Sequence, residues 1–180
     1  MRIPRWTLAL ALGGLLAAPL AAQQAAGDMP ESYRAVQAKA LENQRTLLLA
    51  MVDSMPERLY RDKATEAQRD FARQIEHAAG SVVFIVTRFL GATPPTNRPD
   101  TAAYLNTKAG LRGYVNWVYD WAGGALKAHT DRYKEVDLFG TKMPAWQVWD
   151  EIQQHTWWTA GQVVANFRKN GMAPPGFGFF

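Results

Sequence analysis

Residues 144–171 read PAWQVWDEIQQHTWWTAGQVVANFRKNG. At the ~100° per residue of an α-helix, Trp149, Ile152, Ala160, Val163 and Phe167 fall on one face. Pro144 suits the first turn, where a missing N–H goes unnoticed. Gly171 suits the C-cap, and Pro174 just beyond it cannot extend the helix. This stretch predicts one long amphipathic helix, and the chain before it carries three more segments of the same kind.

The first predicted helix runs from Pro30 to Ser54, with Tyr33, Val36, Ala40, Leu47, Met51 and Met55 as its stripe and Pro56 as its stop. Thr65 and Gln68 have capping-box spacing and predict the start of a second helix reaching Leu90. Its stripe is Phe71, Ile75, Ala78, Val82 and Phe89, and residues 82–90 are apolar nearly all round, which predicts deep burial there. Gly91 to Asn106 holds Pro94, Pro95 and Pro99 and reads as non-helical. So long a link predicts a crossover rather than a hairpin between the second and third helices.

The third helix is predicted from Thr107 to Ala128, with Leu111, Val115, Val118, Ala122 and Ala125 flanked by Tyr114, Trp117 and Trp121. Gly123 and Gly124 are where it would kink or fray. Strand alternation is absent from this reading. The fold class is therefore all-α, a four-helix bundle spanning residues 28–175 with a short tail at 176–180.

Ahead of the helices, Met1 to Arg5 carries two positive charges, Trp6 to Ala18 is almost wholly apolar, and Ala17 to Ala26 is rich in small residues. That order is a secretory signal, residues 1–22, with cleavage expected after Ala22 and Ala26 as the alternative. The apolar run falls short of the ~20 residues a spanning helix needs, so no stable membrane insertion is expected after cleavage. The product is an exported protein, periplasmic or secreted.

Composition narrows the function. The net charge is +4, but Arg2 and Arg5 belong to the signal, leaving 18 basic against 16 acidic residues. These are scattered, which gives no nucleic-acid footprint. The absence of cysteine excludes disulfides, thiolate nucleophiles and thiolate zinc sites.

Histidines occur only at 77, 129 and 155. His155, Thr159 and Gln162 lie at i, i+4 and i+7 on the last helix, and Asn166 extends the line. A polar line bordering an apolar face reads as a groove wall. His77 lies off its own helix's stripe, on a side shared with Arg73, Gly80 and Phe84. His129 reads as a surface or C-terminal helix residue, Trp157 and Trp158 as packing residues. Glu76 and Asp120 have no spacing that marks them as bases.

From Leu48 onward the chain resembles the DinB-like family of helical-bundle metalloproteins. The resemblance is carried by SMPERLY at 54–60, QIEHAA at 74–79, HTWWTAGQ at 155–162 and RKNGMAPP at 168–175. It implies a divalent ion, zinc or nickel, held by one His of the second helix and a His-x-x-x-His pair of the fourth. His77 matches the first position and His155 the second, whereas Thr159 stands where the third His belongs. A neutral hydroxyl is a poor ligand beside imidazole. The expected metal is thus weakly held or absent, and the expected function is a degenerate member whose groove binds a small molecule or metal. The alternative is a metal-dependent hydrolase or transferase. A protein-interaction role, with a homodimer as the first form to expect of this kind of bundle, rests on the aromatic-rich third and fourth helices.

Overall fold

The computed structural model describes residues 30–176. The predicted signal at 1–22 and most of the 176–180 tail lie outside the described residues. Within them the chain is mostly helical: α1 (Glu31–Ser54), α2 (Phe71–Leu90), α3 (Thr101–Asn106), α4 (Lys108–Ala128) and α5 (Ala145–Lys169). A two-stranded antiparallel hairpin, β1 (Glu135–Leu138) and β2 (Thr141–Pro144), precedes α5.

The four long helices enclose one core. α1 and α2 each lie beside both α4 and α5. α1 and α4 run antiparallel, because Arg34 donates to the carbonyls of Leu126 and Lys127 while Arg45, further along α1, donates to Asn116 and Asp120. α2 and α5 are also antiparallel: the Phe71 ring meets Phe167, and Gln74 meets Gln162. The Tyr33 hydroxyl and Gln37 both donate to Asp150, which locks the start of α1 to the start of α5. The largest fully buried side chains among the described residues are Trp149, Tyr60, Tyr104, Phe71 and Phe167, and burial of such rings dominates the energetics.

The connection from α2 to α4 runs back along α4. Trp121 Nε1 donates to the Thr93 carbonyl at 3.1 Å, and Trp117 Nε1 to the Thr96 carbonyl at 2.9 Å. These two indoles satisfy loop carbonyls that a prolyl-rich segment cannot satisfy for itself. The connection is not wholly irregular as predicted, since Asp100 caps the short α3 by accepting from the N–H groups of Ala102 and Ala103.

Other expectations need correction. α2 starts at Phe71, not Thr65, with the Asp70 side chain accepting from the Arg73 N–H at 2.8 Å. Thr65 and Gln68 instead close a turn through their backbones. Asp62 holds that segment in place, since it receives Lys169 Nζ and Asn170 Nδ2, each at 2.9 Å, from the end of α5. Val36 is exposed, because α1 turns Gln37, Ala40 and Gln44 inward instead. The end of α2 is not buried all round either: Phe84 is exposed and stacks beside Phe139 of the hairpin turn. α4 passes through Gly123 and Gly124 without interruption.

The α3–α4 junction is where a glycine is required. A Cβ on Gly110 would sit 2.5 Å from the Ala103 carbonyl oxygen and 2.7 Å from its carbon, both backbone atoms. Gly110→Ala gains about 1 kcal/mol of helix propensity. Forcing two backbones apart costs about 1–3 kcal/mol, so the net effect is destabilising. Gly113→Ala, which meets nothing within 4 Å, keeps only the propensity gain. Urea unfolding should therefore move the two midpoints in opposite directions.

Candidate functional site

α2 and α5 face each other along a polar seam. Gln74 Nε2 donates to the Thr159 carbonyl at 3.4 Å and to Gln162 Oε1 at 3.1 Å. Asn166 Nδ2 donates to the Asp62 carbonyl at 3.0 Å. Most of the line predicted as a groove wall is thus closed against neighbouring chain. It is a packing seam, with Thr159 only 2% exposed. The open end of the seam is His155.

There His77 and His155 meet, ring centroids 5.2 Å apart and the rings at 78°. Two imidazoles sharing one tetrahedral ion at ~2.0–2.1 Å bonds have centroids roughly 5 Å apart, so the spacing suits a common ligand. His155 Nδ1 is buried without a hydrogen-bond partner, a donor or acceptor still to be satisfied. Burial holds both imidazoles below the usual histidine range, and the nearby Arg69 guanidinium lowers them further. Both rings are therefore neutral at pH 7 and free to ligate.

The same Arg69 charge opposes a bare divalent cation between the rings. Among the described residues no group of three or more His, Cys, Asp or Glu side chains is placed to hold a metal ion. The residues present therefore offer two nitrogen donors and a field of the wrong sign. That is short of the three or four protein ligands a firm zinc site uses.

Next to His77 lies a cavity of about 610 Å³ between α2, α4 and the returning connection. Its walls include Arg73, His77, Gly80 and Phe84, the side of α2 that the sequence set apart from the core stripe. Arg98 and Trp117 complete it from the other elements. Glu76, which no spacing marked, anchors the network below. It accepts from Tyr104 Oη at 2.6 Å and Arg73 at 2.7 Å, and pairs with Arg98 at 3.4 Å. A carboxylate so engaged is a positioning group rather than a free base. Asp120 is likewise paired, with Arg45 at 2.9 Å.

His129 is the C-terminal helix residue of the two expected alternatives. It ends α4 as the C-cap, and its Nδ1 accepts from Trp149 Nε1 at 2.9 Å. Trp158, read as a packing residue, is 75% exposed. Comparison with protein-family models, with curated proteins and with solved structures finds no match to this chain.

Proposed function

We propose that this chain is an exported, DinB-like four-helix bundle of up-down-down-up order whose groove at His77 and His155 binds a small molecule or a loosely held divalent ion without catalysis. The overhand link of this reading is the long connection between α2 and α4, which joins two helices pointing the same way. The observation that carries the functional part is the His77–His155 pair, two neutral imidazoles at ligand spacing with Thr159 buried beside them instead of a third His.

Two donors hold zinc or nickel too weakly to survive purification, and Arg69 weakens the ion's hold further. A resident ion would supply Lewis acidity. The chain's own part is to keep both rings neutral by burial and to leave His155 Nδ1 available. The runner-up reading, a metal-dependent hydrolase or transferase, draws support from that same unsatisfied nitrogen.

Calorimetric titration with zinc decides between them. The expected result is weak binding that disappears in His155→Ala. It fades on acidification through a window set below the ordinary histidine pKa, because both rings resist protonation until then. Tight, stoichiometric zinc in the unaltered protein would put the enzyme reading first.

A further inference from the structure

We propose that the cavity beside His77 is a binding site for a small organic anion, a carboxylate or phosphate monoester carried on a flat apolar body. The inference rests on the groove being a small-molecule site but not on any metal. Charge gives the first half of the argument. Arg69, Arg73 and Arg98 line the cavity against the single carboxylate of Glu76. Glu76 ties Arg73 and Arg98 in place from one side, and Tyr104 Oη steadies Arg98 at 3.0 Å. Each guanidinium carries five N–H donors in a planar fork, so one partner leaves donors for an anion. A wall with two excess positive charges disfavours cations and gains from a planar or tetrahedral oxyanion.

Shape gives the second half. Tyr104, Tyr114 and Trp117 form a continuous ring stack, with centroids 4.4 and 5.8 Å apart. The Trp117 ring is fixed by its bond to the Thr96 carbonyl. Pro94 and Pro95 also line the cavity and add rigid apolar wall. Gly80 matters because a Cβ there would fall 2.6 Å from the Tyr114 hydroxyl. Its hydrogen side chain lets that hydroxyl, on a side chain only 2% exposed, reach the cavity wall. The volume is in the ~300–1,000 Å³ range of small-molecule sites. A buried hydroxyl, a fixed indole and a braced guanidinium cluster are the few convergent polar groups such sites use.

The test uses the purified protein in chelator, so that metal plays no part, titrated calorimetrically with benzoate, phenyl phosphate, inorganic phosphate, benzamide and benzylamine. Benzoate or phenyl phosphate should bind, and the tighter of the two assigns the headgroup. Benzamide, the neutral match in shape, should bind at least tenfold more weakly, inorganic phosphate should be weaker for lack of a body, and benzylamine should not bind. Arg69→Gln combined with Arg98→Gln should remove the preference for the anions. Gly80→Ala should weaken binding by pushing the Tyr114 hydroxyl into the cavity, and Tyr114→Phe in that background should restore part of it.

In the absence of chelator the same arginine variant should bind zinc no more weakly than the wild type, because Arg69 opposes a cation at the two imidazoles, and this separates failure of the anion site from failure of the metal reading. Equal affinity for benzoate and benzamide, unchanged binding in the arginine variant, or no binding of either aromatic anion at millimolar concentration would overturn the proposal.

Discussion

Trp149→Ala should destabilise the protein by about 3–5 kcal/mol, a large fraction of the ~5–15 kcal/mol a domain has in hand. Trp149 is 2% exposed and sits where the start of α5 meets the end of α4. Its removal deletes the largest fully buried side chain and leaves a void beside Ala145 and Val136, which share a cavity wall with it. The indole N–H also satisfies His129 Nδ1, so truncation strands a half-buried imidazole. Trp149→Phe separates the two effects in part, since it loses the donor but leaves a much smaller void, at about 1–3 kcal/mol. Urea unfolding should rank the wild type above Trp149→Phe and that variant well above Trp149→Ala. Equal midpoints for the two variants would mean the hydrogen bond, not the packing, dominates.

The imidazole that this tryptophan satisfies predicts an acid response. Burial lowers the His129 pKa from its ordinary value, so the folded state resists the proton that the unfolded state takes. Stability is then present above about pH 6.5 and is lost as pH falls from there toward the depressed folded value. His77 and His155 are shifted in the same direction and add to the same loss.

How legible the fold was depended on how local its causes are. α5 could be read to within a residue or two, because 25 residues of helical periodicity end at Gly171 and Pro174. The start of α2 could not. Thr65 and Asp70 are both good N-caps, and what chooses Asp70 is long-range: Asp62 is pinned by Lys169 and Asn170, more than a hundred residues away. The hairpin was missed for a different reason. Its strands have four residues each, too few for an alternation to register, although Val136, Leu138 and Met143 do bury. Its turn places Phe139 at φ 53° and Gly140 at φ 90°. Both demand the left-handed region, and Phe-Gly lacks the Asn or Asp that normally announces such a turn.

The site divides along the same line. Spacing gives only the face that each of His77 and His155 occupies on its long, regular helix; it is the resemblance that pairs them, and the structure brings their rings to 5.2 Å. The seam was misjudged because periodicity gives the direction of Thr159 and Gln162 but not what lies opposite them. Gln74 does, and it closes the gap. Arg98 reaches the cavity from the returning connection, and Tyr104 of α3 braces it from within the core, where no periodic signal exists.

That closure changes what a third imidazole can do. Thr159→His supplies the missing ligand at the i+4 spacing from His155, but Thr159 is buried and its carbonyl is already held by Gln74. A larger ring at a position only 2% exposed must displace packed neighbours, and overpacking of this kind costs about 1–3 kcal/mol. Thr159→His alone should therefore lower the thermal midpoint and gain little zinc affinity. Combining it with Gln74→Ala makes room where α2 faces α5 at this level, at the loss of two hydrogen bonds across the seam. The double variant should bind zinc at least tenfold more tightly than the wild type, since each added 1.4 kcal/mol of ligand energy is a factor of ten. Zinc should also raise its thermal midpoint, because a ligand of the folded state alone stabilises it by mass action. His155→Ala in that background should remove both gains. If the double variant folds and still binds no more zinc than the wild type, His77 and His155 do not converge on an ion, and the groove is left to the anion site beside it.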